Sequence, residues 1–302
     1  MPLRACLAAL MCSAFAMTPP SAQADSSHPS LASYYERHMA LVEGVAYGWI
    51  GRGEPRELSS GVVQVGVSKD AYFALRADGT LITGADLVRA QTVLMRGVAN
   101  FAAGASGWFA IDQAHVLWHG VGRGAPLRVA ENVATASVGD SADYHVTRDG
   151  MLYVKGLAHR GQYGDGRLAE TNHFVATAQG AVAVKSHTGH AIHLRRDGVV
   201  MGTGGNRFGP LSAHGLGDKA DRWGPIFEGA VAIATGSRHS LAIRADASLW
   251  AWGEGFAVQP AKLMDKVVAV AAGDSATIAF GADGALWQWD GGGAPRRLTL
   301  RR

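Results

Sequence analysis

The chain repeats itself. The run Val267-Val-Ala-Val-Ala-Ala-Gly273 parallels Ala230-Val-Ala-Ile-Ala-Thr-Gly236, and the two continue in register to Leu286-Trp-Gln-Trp289 and Leu249-Trp-Ala-Trp252. A period of this kind constrains a fold more than local propensity does, because each unit must bury its apolar face against its neighbours. Laid on that frame, the chain has unit starts at 29, 62, 98, 133, 181, 230 and 267.

The frame generates columns. One holds Ala40, Phe73, Phe109, Tyr144, Ile192, Leu241 and Ile278, and two residues on stand Val42, Leu75, Ile111, Val146, Leu194, Ile243 and Phe280. Burial at a period of two is the signature of a strand. Asp-Gly then recurs at one offset, at 78–79, 149–150, 197–198 and 283–284, with Asp246-Ala247 as a near match. Asp-Gly between apolar strands is a hairpin signal. The first unit fits once its turn is shortened to Glu43-Gly44.

Each unit thus reads as an Ala/Gly-rich strand, a second strand, a hairpin, a third strand and a short apolar end such as Pro126-Leu-Arg-Val129. Four strands in about 35–50 residues are the dimensions of a propeller blade. The fold class is therefore all-β, a seven-bladed β-propeller. Small residues suit the innermost strands, which crowd at the axis, and the Leu-Trp strands fill the widening wedge between blades. The 40 glycines follow no collagen-like period and serve the many turns.

Residues 1–24 read as a secretory leader. Arg4 is the positive region, Ala5 to Met17 the apolar stretch, and Ala22-Gln23-Ala24 the cleavage site. A single propeller domain then spans 25–302, and the expected localisation is periplasmic or secreted. Both cysteines, Cys6 and Cys12, fall in the leader, so the mature chain is expected to fold without disulfides or thiolate chemistry. Beyond the N-terminus no apolar run is long enough to span a membrane. The 28 basic and 25 acidic residues are well mixed, which argues against a nucleic-acid binder.

The units resemble the regulator of chromosome condensation repeat family, most clearly at 231–253, with a Gly-rich insertion at Arg160-Gly-Gln-Tyr-Gly-Asp-Gly166 and another at Gly205-Asn-Arg-Phe-Gly-Pro-Leu211. That resemblance implies a seven-bladed propeller. The compact units and the leader make a nucleotide-exchange role on a nuclear GTPase a poor expectation. In size and compartment the chain is similar to the secreted propeller-type β-lactamase inhibitory proteins of the same fold.

Catalytic motifs are missing. His187, His190 and His193 suggest a metal, but an odd separation on a strand turns His190 and His193 to opposite faces. His190 also shares a column with His38 and His239, which makes a hydrogen-bonded structural histidine the simpler reading. The Trp pairs are read as packing between blades. No catalytic residue, metal ligand or cofactor is assigned.

Strand parity sends the first–second and third–fourth loops of every blade to one face. Those loops are expected to carry Tyr35, Arg37, Lys69, Asp70, Trp108, Asp140, Tyr144, Tyr163, Phe208, Trp223, Arg238 and Asp274. Aromatics mixed with charges are enriched where proteins bind proteins. The expected function is an exported protein-binding propeller, an interaction or inhibitor module, docking one protein partner there as a monomer. The alternative is an exported glycan lyase or hydrolase on the same face or in the axial funnel.

Overall fold

The computed structural model describes residues 29–105, 107–122, 124–214 and 217–301. The leader expected at 1–24 lies outside them. Seven four-stranded antiparallel sheets form, each from four consecutive strands. Their inner strands are Ser30–Tyr34, Val62–Val67, Val98–Gly104, Val133–Ser137, Ala181–Ser186, Ala230–Thr235 and Val267–Ala272. They define blades one to seven in chain order. No helix occurs among the described residues.

The hairpins form as their sequences dictate. In blade two Arg76 N bonds Thr80 O, Gly79 takes the left-handed φ of +79°, and Asp78 Oδ1 accepts from Thr80 N. Only a residue tolerant of positive φ closes such a loop without strain. Blade six does it with Ala247 at φ +62°, and Asp246 Oδ1 again accepts from Ser248 N. In blade one Val42 pairs with Val45 across Glu43-Gly44.

The core lies between blades. Trp252 of blade six, fully buried, packs with Phe227 of blade five. Buried histidines also stitch the ring: His190 Nε2 bonds Ser240 Oγ of the next blade at 3.0 Å, and His239 Nε2 bonds Thr277 Oγ1 of the next at 3.1 Å. His193 points to the other side of its sheet, edge-on to Trp223.

Small residues line the axis, as crowding requires. Opposite Phe73, Phe109, Tyr144, Leu241 and Ile278 on the second strands stand Gly66, Ala102, Ser137, Ala234 and Ala271. Blades five and one break the column, with Lys185 opposite Ile192 and Leu31 opposite Ala40.

The ring closes between complete sheets. Arg296–Leu298 is the outer strand of blade seven, so the N-terminal segment does not complete that blade. At the seam Trp49 Nε1 donates to Gln288 Oε1, Arg296 pairs with Glu54, and Arg301 bridges Arg56.

Candidate functional site

The two Gly-rich insertions build the site. Each folds into compact turns on its own blade and clasps the next. From the blade-four insertion, Gly161 O accepts from Thr203 Oγ1 of blade five. From the blade-five insertion, Pro210 O accepts from both Ser240 Oγ and Trp252 Nε1 of blade six, each at 2.8 Å. These anchors fix a groove of about 690 Å³, lined by Tyr35, Arg160, Arg207, Phe208, Asp218, Lys219, Arg238 and Asp274, among others.

The groove is basic, and Tyr35 and Phe208 add aromatic rings to its lining. Phe208 is 40% exposed, the Arg238 guanidinium sits 4.7 Å from its ring centre, and that of Arg207 sits 5.8 Å away. Arg238 also pairs with Glu254 at 2.9 Å. Among the described residues Arg160, Arg207 and Lys219 have no ion-pair partner. Two cations on one phenyl face-system leave the ring a platform with a positive rim.

Behind the groove the loops meet across the axis. Tyr35 of blade one donates its hydroxyl to Asp140 Oδ2 of blade four at 2.9 Å, and Thr188 Oγ1 donates to the same oxygen at 3.2 Å. Burial raises the Asp140 carboxyl above the ordinary value against the Thr188 bond, and Asp274 adds to the rise. The Tyr34 ring stacks on the His187 imidazole of blade five, 4.6 Å between centroids. Ser237 Oγ lies 3.2 Å from His187 Nδ1.

Of the residues expected at this face, Tyr35, Phe208, Arg238 and Asp274 line one groove, and Asp140 touches it through Tyr35. Arg37 instead lies over the Tyr72 ring at 4.5 Å, and Lys69 and Asp70 are exposed in the blade-two loop, outside the groove. Three aromatics expected on the surface are buried instead. Trp108 and Tyr144 are strand residues at 1% exposure, and Tyr163 is at 0%. The Tyr144 hydroxyl donates to Gln162 O, and that of Tyr163 donates to Gly156 O. Both tyrosines have the polar tip satisfied inside the blade, which is where such a ring is most stable. Trp223 is half-buried in the outer strand Lys219–Phe227 and donates to Thr177 Oγ1.

Arg160, Arg207 and Lys219 were not anticipated. A signal existed for the first two: both lie in the Gly-rich insertions, where Arg160-Gly161-Gln162-Tyr163 matches Phe208-Gly209-Pro210-Leu211. The same alignment places Tyr163 on Leu211, which is also fully buried.

A ring of seven four-stranded blades with a loop-built groove defines the class: a β-propeller with one elaborated face. Within that class residues 230–256 match the regulator of chromosome condensation (RCC1) repeat model, and the chain is a propeller that carries this repeat. It is 27% identical over 141 residues to the ultraviolet-B receptor UVR8 of Arabidopsis thaliana, a match covering 41% of this chain and 30% of the receptor. The matched region thus spans under a third of that relative's length. Yeast RCC1 (Prp20) in its complex with Kap60 superimposes with TM-score 0.70 at 16% identity, over 80% of this chain and 73% of that one. Prp20p of Saccharomyces cerevisiae, studied for its binding to Gsp1p and histones, gives 0.56 at 18% identity over 89% and 76%. At these identities the structural likeness is one of fold.

Proposed function

We propose that this chain is an exported protein-binding propeller whose loop-face groove takes an acidic segment of a protein partner. The observation that carries the reading is Phe208, exposed between Arg207 and Arg238, with Arg160 and Lys219 completing a rim of cations. Arg160, Arg207 and Lys219, without ion-pair partners among the described residues, are free to steer and hold carboxylates, and a large ring beside them supplies buried area at the centre of contact. The fold's precedent supports it: the yeast relative is seen bound to Kap60. Export rests on the sequence of residues 1–24, and N-terminal sequencing of the secreted or periplasmic protein should begin at Asp25.

The test is fluorescence anisotropy with a labelled octaglutamate peptide at several salt concentrations. Saturable binding that weakens with salt and is lost in Arg207→Glu/Arg238→Glu supports the reading. Equal binding of the double variant overturns it. Partner capture from periplasmic and culture fractions, wild type against Phe208→Ala, then identifies the protein.

A second reading, an exported glycan lyase or hydrolase, is favoured by one feature. Asp140, with its raised carboxyl, and Asp274 stand with Tyr35 beside the cations. Release of unsaturated or reducing ends from a uronate-containing polysaccharide, lost in Asp140→Asn, would establish it.

A further inference from the structure

One cation of the groove is already matched to a carboxylate. Arg238 Nη1 donates to both oxygens of Glu254, at 3.1 Å to Oε1 and 2.9 Å to Oε2. The same guanidinium is the one that lies 4.7 Å from the Phe208 ring centre. Glu254 stands beside the groove rather than in its lining, and reaches Arg238 from the loop between the blade-six strands Leu249–Gly253 and Ala261–Met264. Asp218 and Asp274 do line the groove, yet neither forms an ion pair among the described residues.

The loop that carries Glu254 is fixed through its backbone. Gly253 N donates to Ala257 O, Phe256 N to Gly253 O, and Glu254 N to the carbonyl of Arg238 itself, all within 2.9–3.0 Å. Gly253 and Gly255 take left-handed φ values of +104° and +82°, and a Cβ on Gly255 would come within 2.8–3.1 Å of the Gly291-Gly292 backbone of blade seven. The Glu254 main chain is therefore held against Arg238, and the side chain is the part left to swing. Both partners are half in solvent, at 49% and 44% side-chain exposure. An ion pair that open is weak, so a well-placed carboxylate from outside can exchange with it.

Resting on the reading of the groove as a site for an acidic segment, we propose that Glu254 is a built-in competitor for that segment: its carboxylate occupies Arg238 in the free protein, and a carboxylate of the partner displaces it. The exchange replaces one charged contact by another, so Arg238 contributes to docking only the difference between the two. The pinned loop keeps the effective concentration of Glu254 at Arg238 high. Exposure of the pair keeps each encounter weak. A segment that brings no carboxylate leaves Glu254 in place, and the guanidinium on Phe208 then stays compensated.

The experiment is the octaglutamate titration at one low salt concentration, with a melting temperature recorded for each variant. Glu254→Gln keeps the side chain's length and removes its charge. It should bind the peptide about two- to fivefold more tightly than wild type, the range an exposed ion pair spans. Asp218→Asn removes the same charge from the groove lining without touching the Arg238 contact, and so measures the general effect of net charge. In an Arg238→Gln background the gain from Glu254→Gln should shrink to no more than that general effect. Unchanged or weaker binding in Glu254→Gln, or a gain undiminished without Arg238, would overturn the proposal and leave the groove reading standing. No saturable binding by either wild type or Glu254→Gln would overturn both.

Discussion

The Trp252 indole lies on the Phe227 ring, 5.5 Å between centroids and 14° between planes, and so joins the third strand of blade six to the outer strand of blade five. Its Nε1 also donates to Pro210 O, in the insertion that carries Arg207 and Phe208. Trp252→Ala should cost about 3–5 kcal/mol in urea denaturation, the usual toll for emptying a large core site. Trp252→Phe keeps an aromatic there and loses the donor. Its expected cost is about 1–3 kcal/mol, with weaker octaglutamate binding as the insertion loses its tether. Wild-type midpoints in both variants would show that this interface does not hold the ring.

Phe208 and Tyr163 separate surface from core within matched insertions. Phe208→Ala should leave the unfolding free energy within about 0.5 kcal/mol of wild type. It should weaken a partner that uses the groove by about 2 kcal/mol, roughly thirtyfold. Tyr163→Ala should do the reverse, costing about 3–5 kcal/mol of stability, because the ring is fully buried and its hydroxyl is bonded. Thermal melts and anisotropy on the two variants read both quantities.

Gly120 exists to let Trp108 lie flat. A Cβ at that position would overlap the six-membered ring of the indole, while the backbone there has no left-handed strain. Gly120→Ala should therefore destabilise by about 1–3 kcal/mol through overpacking alone. Adding Trp108→Leu to Gly120→Ala should cost less than the two single changes together. Full additivity in the double variant would place the Gly120 effect elsewhere.

Acid should unfold the ring through its histidines. Burial lowers His38, His145, His187, His193 and His239 to about 4 and His190 to about 3, against the opposing pull of Asp290 on His38 and of Asp274 on His187 and His239. These groups stay neutral in the native state, whereas the unfolded chain protonates them below about 6.5. Their contribution is complete above that value and is lost as pH falls toward 4. Each gives up as much as ~1.4 kcal/mol per pH unit over that range. Urea midpoints should be flat from pH 8 to 7 and drop steeply between 6.5 and 5, with more than one proton taken up on unfolding. A midpoint constant down to pH 5 would contradict the buried, neutral state of these rings.

The blades were legible because turn chemistry and packing both recur at a fixed offset. Asp78-Gly79 and Asp246-Ala247 adopt the same left-handed turn although only one has glycine, so the aspartate carries the signal where the glycine fails. The groove was half legible. Parity put Tyr35, Phe208, Arg238 and Asp274 on one face, but parity is a property of strands and gives no radial position. Tyr144 stands in a strand column and Trp108 one residue before one, and both went inward. Contacts across the axis leave no trace in a repeat, because Tyr35 and Asp140 come from different units and nothing in either column pairs them. Lys185 was visible as a departure, a long charged side chain where five other blades carry nothing larger than serine.

Each blade's sheet is made from one unbroken stretch of chain. On a ribosome, blade one has all its strands once residue 60 has emerged, and each later blade completes on the edge of the one before. Only the seam, where Arg301 meets Arg56, waits for the last residues. The order of synthesis is therefore also an order of assembly, and a new pair of chain ends placed at any inter-blade link would cut no sheet.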